Sequence, residues 1–133
     1  MVKLIHGRRG SGKTKILIDA IHTAAGVSKG NVVAIQIGSS LNGNIKPKVR
    51  LINIEEYKVA GCSELYGFIA GLMASDYDCT DIFIDGLLKI VGTDFEEVAK
   101  LIDRVNEISD STCITFTISA AVEELPESVK KYV

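Results

Sequence analysis

The stretch Gly7-Arg8-Arg9-Gly10-Ser11-Gly12-Lys13-Thr14 constrains this chain more than any other. It completes the pattern Gly-x-x-x-x-Gly-Lys-Ser/Thr, and its surroundings give the pattern physical meaning. Before it runs Val2-Lys3-Leu4-Ile5-His6, an apolar segment that reads as a short buried strand. After it comes Ile16-Leu17-Ile18-Asp19-Ala20-Ile21, apolar at helical spacing. A strand that turns through glycines into a helix aims several backbone N–H groups at one anionic point. The helix start adds the positive end of its dipole there. In such a loop Lys13 brings a compact positive charge for the outer phosphates of a nucleotide, and the Thr14 hydroxyl is set to ligate Mg²⁺. Gly7, Arg8, Arg9, Gly10, Ser11, Gly12, Lys13 and Thr14 are therefore the candidate nucleoside triphosphate-binding residues. Lys13 is also a candidate catalytic residue.

Composition limits what else the chain can hold. A length of 133 residues suits one domain, spanning 1–133, with a real core but no room for a second substrate domain. The net charge of −2 gives no general electrostatic reason to bind nucleic acid or an anionic membrane. No apolar run approaches a membrane span, and the first residues already belong to the strand and loop just described. A secretion leader is therefore not expected, and the cytoplasm is the expected location. The three cysteines, Cys62, Cys79 and Cys113, form no Cys-x-x-Cys pair and read as reduced thiols. His6 and His22 lack companions at zinc-like spacing and read as structural, with His6 set beside the loop.

Strands and helices alternate along the chain in the manner of an α/β domain. Strands are expected at 2–6, 31–37, 49–54, 81–85 and 111–118. Helices are expected at 13–25, from an N-cap at Ser63, and from a Thr93-x-x-Glu96 capping box. The second of these carries Leu65, Ile69, Leu72 and Met73 on one face. The third carries Phe95, Val98, Ile102, Val105 and Ile108. Residues 38–48, rich in glycine and asparagine and holding Pro47, read as a mobile loop. Beyond Val122 the pattern gives a loop and a short helix with Pro126 in its first turn.

Asp85 ends the apolar strand Asp81-Ile82-Phe83-Ile84. A carboxylate at the carboxyl end of a buried strand emerges where an α/β sheet binds phosphates. Asp85 is accordingly the second candidate Mg²⁺ ligand, with Thr14, and a candidate catalytic residue. The next position, where many vigorous ATPases carry a water-orienting Glu, is Gly86. Glu55 and Glu56 are the nearest acidic substitutes by topology, and they read as a surface pair. Phosphoryl transfer also depends on a cation for the developing charge, and the chain has only the arginines Arg8, Arg9, Arg50 and Arg104. Nucleotide binding is better supported than fast hydrolysis.

Gly7, Gly12, Lys13 and Thr14 together with Asp85 resemble the P-loop NTPase superfamily, the first four as Walker A residues and Asp85 as the Walker B aspartate. The chain is also similar to small bacterial single-domain P-loop proteins described as ATP-binding proteins. That likeness is carried by the Gly-Ser-Gly-Lys-Thr loop, by Ile-Phe-Ile-Asp-Gly-Leu-Leu-Lys-Ile at 82–90, and by Glu124-Leu125-Pro126-Glu127. The resemblance implies a three-layer α/β/α fold with a mostly parallel five-stranded sheet, and ATP with Mg²⁺ as ligands. In the RecA-like branch, which is preferred here, a strand lies between the loop strand and the Walker B strand. It often ends in a polar residue that senses the γ-phosphate. Thr117 or Ser119 would stand at that sensing position and joins the candidate nucleotide-binding residues.

Three classes of function remain open: a nucleotide-dependent switch or weak ATPase (a hydrolase) acting on a protein partner, a small-molecule kinase, and a binding-only domain. The RecA-like order leaves the outer side of strand 2–6 without a strand. An exposed edge of that kind is usually covered. Either the segment 122–133 or a second copy of the chain is expected to cover it, and a copy would also offer an arginine to the nucleotide.

Overall fold

Five apolar runs of four to seven residues with β-branched side chains become the strands of one sheet. The computed structural model describes every residue from Met1 to Val133. In chain order the elements are β1 (Val2–Gly7), α1 (Lys13–Val27), β2 (Asn31–Gln36), β3 (Arg50–Asn53), α2 (Cys62–Ser75), β4 (Cys79–Ile84), α3 (Leu87–Val91), α4 (Phe95–Ile108), β5 (Cys113–Ser119) and α5 (Glu127–Lys130). Short 3₁₀ turns lie at Ile54–Tyr57 and Val122–Glu124.

The sheet order is β1-β5-β4-β2-β3, and every pairing is parallel. Strand β5 therefore lies between β1 and β4, as expected for the strand following Asp85. Parallel strands need crossovers on the sheet faces, so both faces are covered and the strands are apolar on both sides. Val33 and Ile35 of β2, Ile82 and Ile84 of β4, and Ile114, Phe116 and Ile118 of β5 point to one face, against α2, α3 and α4. Val32, Ala34 and Phe83 point to the other, against Leu17, Ile21 and Ala25 of α1. Residues four apart on α1 thus make a single buried stripe. No helix is long and apolar enough to cross a membrane.

Several local expectations shift. Helix α2 begins from Gly61 rather than from Ser63, and the Gly61 N–H donates to the Ile90 carbonyl at 2.9 Å. Helix α4 is capped by Asp94, not Thr93: the Asp94 carboxylate accepts from the backbone N–H groups of Glu96 and Glu97. A carboxylate offers a charge-assisted acceptor there, a stronger partner than a hydroxyl. Ile108, expected on the buried face of α4, is 38% exposed, while Ala99 and Leu101 are buried instead. The segment 38–48 is tied down. Leu41 is fully buried, its N–H donates to Gln36 Oε1 at 2.8 Å, and Gln36 Nε2 donates to Asn42 Oδ1 at 2.7 Å.

The outer side of β1 is met by the chain's own C-terminal segment. The Leu4 N–H donates to the Tyr132 carbonyl at 3.0 Å, and the Val2 N–H donates to Asn106 Oδ1 at 3.2 Å. Tyr132 is held in turn by a hydrogen bond from its hydroxyl to Asp103 Oδ1, which also pairs with Lys131 at 3.1 Å.

Candidate functional site

The register of the sheet assembles the site. Ile84 of β4 lies beside Phe116 of β5, so the next residues along, Asp85 and Thr117, meet at the carboxyl ends of their strands. Gly7, where β1 passes into the glycine loop, lies beside Ser119. The loop, Asp85, Thr117 and Ser119 thus converge at one end of the sheet, where open α/β sheets bind ligands.

Gly10 and Gly12 hold φ of +82° and +90°, conformations that disfavour side chains, and Gly12 directly precedes α1. Within the loop the Ser11 N–H donates to the Arg8 carbonyl at 3.0 Å. Lys13 Nζ reaches back to that same carbonyl at 3.1 Å, and the residue is only 8% exposed. A buried ammonium is tolerated only with acceptors close by, which makes this cation a fixed feature of the loop.

Asp85 is 6% exposed and has a hydroxyl on each oxygen. Thr117 donates to Oδ1 at 2.7 Å, and Thr14 donates to Oδ2 at 3.3 Å. Thr117 Oγ1 also accepts the Gly86 N–H at 2.8 Å, fixing the turn that leaves β4. Gly86 has φ of +91°, and a Cβ there would lie 3.3 Å from Ile37 Cγ2. A side chain after Asp85 would therefore be strained by the backbone and crowded by Ile37.

These groups line a cavity of about 300 Å³ together with Arg9, Gly10, Ser40, Leu88, Lys89 and Ser119. Only Ile37 and Leu88 in its lining are hydrophobic, so its chemistry suits phosphates better than a base. Cavities of about 520 and 720 Å³ exist elsewhere, but neither includes a glycine-loop residue.

The sequence-predicted residues divide on this geometry. Lys13, Thr14, Asp85, Thr117, Gly10, Arg9 and Ser119 come together. Thr117 is 1% exposed and committed to Asp85 and Gly86, whereas Ser119 is exposed at the rim. Arg8 turns toward Glu124 at 3.8 Å, an exposed pair of little energetic weight. Arg50 lines the separate 520 Å³ cavity, and Arg104 stacks over the Tyr66 ring at 3.8 Å. Glu55 and Glu56 are exposed and outside the site, with Glu55 accepting the Gly38 N–H at 2.9 Å. His6 Nδ1 is buried with no partner and makes no bond to the loop. Sequence reasoning missed Lys89, Ser40 and Ile37. Lys89 stands four positions after Asp85, a spacing that was a usable signal had a helix been expected there. No protein-family model matches the chain, and no curated protein matches it in sequence.

Proposed function

We propose that this chain binds a nucleoside triphosphate with Mg²⁺ and works as a nucleotide-dependent switch or slow ATPase acting on a partner. One observation carries the reading: Thr14 and Asp85 are 71 positions apart in sequence, yet Thr14 Oγ1 lies 3.3 Å from Asp85 Oδ2 beside a buried lysine and a glycine loop. The resemblance of the loop and Asp85 to the P-loop NTPase superfamily supports it, and the interposed β5 favours the RecA-like branch.

Mg²⁺ takes oxygen ligands, keeps several waters and is commonly bound through one or two protein groups plus substrate phosphates. The donor set fits: Thr14 and Asp85 would hold the ion, one by a hydroxyl and the other by a buried carboxylate. Once bound, the ion would neutralise charge on the outer phosphates. The loop N–H groups and Lys13 would orient those phosphates. Gly86 offers nothing to orient a water, so slow turnover is the expected behaviour. The lining does not read a base, so the proposal is a nucleoside triphosphate in general, with ATP as the resemblance suggests.

Thermal unfolding tests the reading. A ligand bound only by the folded state at one hundred times its Kd stabilises by about 2.7 kcal/mol, which raises the Tm of a domain this size by several degrees. Mg²⁺ with ATP should give that rise, and Lys13→Ala should remove most of it. Lys13→Ala alone should lower the ligand-free stability by no more than about 1 kcal/mol, the typical net worth of one hydrogen bond. An unshifted melt of the wild type at millimolar nucleotide would overturn the proposal.

A further inference from the structure

Gly86 opens a helix that sequence periodicity could not disclose, because α3 is only five residues long. Two of its apolar residues face inward, Leu87 fully buried and Ile90 5% exposed, both in the main core, while Leu88 lines the cavity. Lys89 is left on the outer side of that turn, where it lines the same cavity as Lys13, Thr14 and Asp85. It forms no ion pair that would hold it away from the cavity. The stem of Lys89 passes over the bare α-carbon of Gly86: a Cβ built at Gly86 would lie 3.5 Å from Lys89 Cδ and 3.9 Å from Lys89 Cβ. The glycine allows the left-handed turn, and the lysine stem lies at ordinary contact distance beside it.

Lys13 is buried and belongs to the loop after β1; Lys89 is exposed and follows the carboxyl end of β4. Three cations approach the cavity from two connections: Arg9 and Lys13 from β1–α1, and Lys89 alone from β4–α3. We infer that Lys89 reads the outermost phosphate, so that α3 is the element that distinguishes a nucleoside triphosphate from a diphosphate. This rests on the nucleotide reading of the same site. A cation that meets only the terminal phosphate adds affinity to ATP and none to ADP, and a differential affinity of this kind is what a ligand-driven switch requires. A route from α3 into the molecule exists, because the Ile90 carbonyl accepts the N–H of Gly61 at the start of α2.

The test compares Mg²⁺-ATP and Mg²⁺-ADP affinities in the wild type, Lys89→Ala, Lys89→Met and Lys89→Arg. Lys89→Met keeps the stem that crosses Gly86 and guards against a loss of fold. The wild type should prefer ATP. Lys89→Ala and Lys89→Met should weaken ATP by roughly tenfold or more, the range of one charge-assisted contact, and leave ADP within about twofold. Lys89→Arg should retain part of the preference. An unchanged ATP-to-ADP ratio in Lys89→Met, or an equal loss for both nucleotides, would overturn the inference while leaving the nucleotide reading in place. A wild type that binds neither nucleotide overturns the parent reading and this one with it.

Discussion

Asp85 receives a hydroxyl on each of its oxygens, and the two hydroxyls do different work. Thr117 sits deep, at 1% exposed, and joins Asp85 to the Gly86 turn. Thr14 comes from the first turn of α1 and lies on the side of the glycine loop. Asp85→Asn keeps the size of the side chain but loses its charge. The Mg²⁺-dependent part of nucleotide affinity should fall by roughly 10- to 100-fold, the usual cost of losing a carboxylate that supports a metal. Affinity measured in chelator should stay within about twofold, because the loop N–H groups and Lys13 do not depend on that charge. Equal losses with and without Mg²⁺ would make Asp85 a purely structural anchor of Thr117. This part of the site was legible in sequence because a contiguous motif fixes its own backbone and a buried strand fixes where its last carboxylate emerges. Lys89 was not, since its position depends on a single turn of helix too short to show a period. The resemblance offers Thr117 or Ser119 as the γ-phosphate sensor, and the two are placed differently, Ser119 exposed and Thr117 buried. The burial of Thr117 and its two hydrogen bonds make it first a support for Asp85.

Among the elements, the C-terminal segment makes the most testable contribution. Tyr132 supplies a carbonyl to the outer side of β1, and its hydroxyl bonds Asp103 on α4. Burial first, and then the hydrogen bond to Asp103, push the Tyr132 phenol up to about 12 from an ordinary value of 10.0. The Tyr132 hydrogen bond, and then Lys131, hold Asp103 below its ordinary value of 3.8 despite an opposing effect of burial. A raised phenol stabilises the fold fully below pH 10 and loses that contribution as pH climbs toward 12. A lowered carboxyl does the reverse, contributing above pH 3.8 and fading as pH falls through its lowered value. Ultraviolet titration of the four tyrosines should therefore show one phenol ionising last, near pH 12, and Tyr132→Phe should delete that component. The same substitution should cost about 1 kcal/mol at neutral pH, a charged hydrogen bond discounted for exposure. Loss of an earlier phenol instead would mean that the clasp is not closed in solution. Element types were legible because the strands are β-branched runs and the long helices carry clear apolar stripes. Caps were less so: Thr93 and Asp94 are adjacent, and the spacing rule alone does not choose the stronger acceptor. The pinning of segment 38–48 depended on Gln36, a polar residue whose burial is decided by packing and leaves no trace in the pattern.

For the molecule as a whole, both outer strands carry protection supplied by the chain itself. Strand β1 is met by Asn106 and the Tyr132 carbonyl, and β3 is short and preceded by Lys46, Pro47 and Lys48. Short edges carrying proline and positive charge are poor templates for another strand. The reason for expecting a second copy to cover β1 is therefore weakened, and the need for a borrowed arginine weakens with it, since Arg9 and Lys89 of the same chain line the cavity. If the site is complete within one chain, ATP turnover should be slow yet constant per molecule across a wide concentration series. Light scattering should give the mass of one chain, 14.3 kDa, with and without ATP. Lys89→Met should lower that turnover at every concentration, because the lost cation belongs to the same molecule. A rate per molecule that climbs with concentration, together with a mass that doubles on adding ATP, would reverse the conclusion and make a neighbouring copy part of the site.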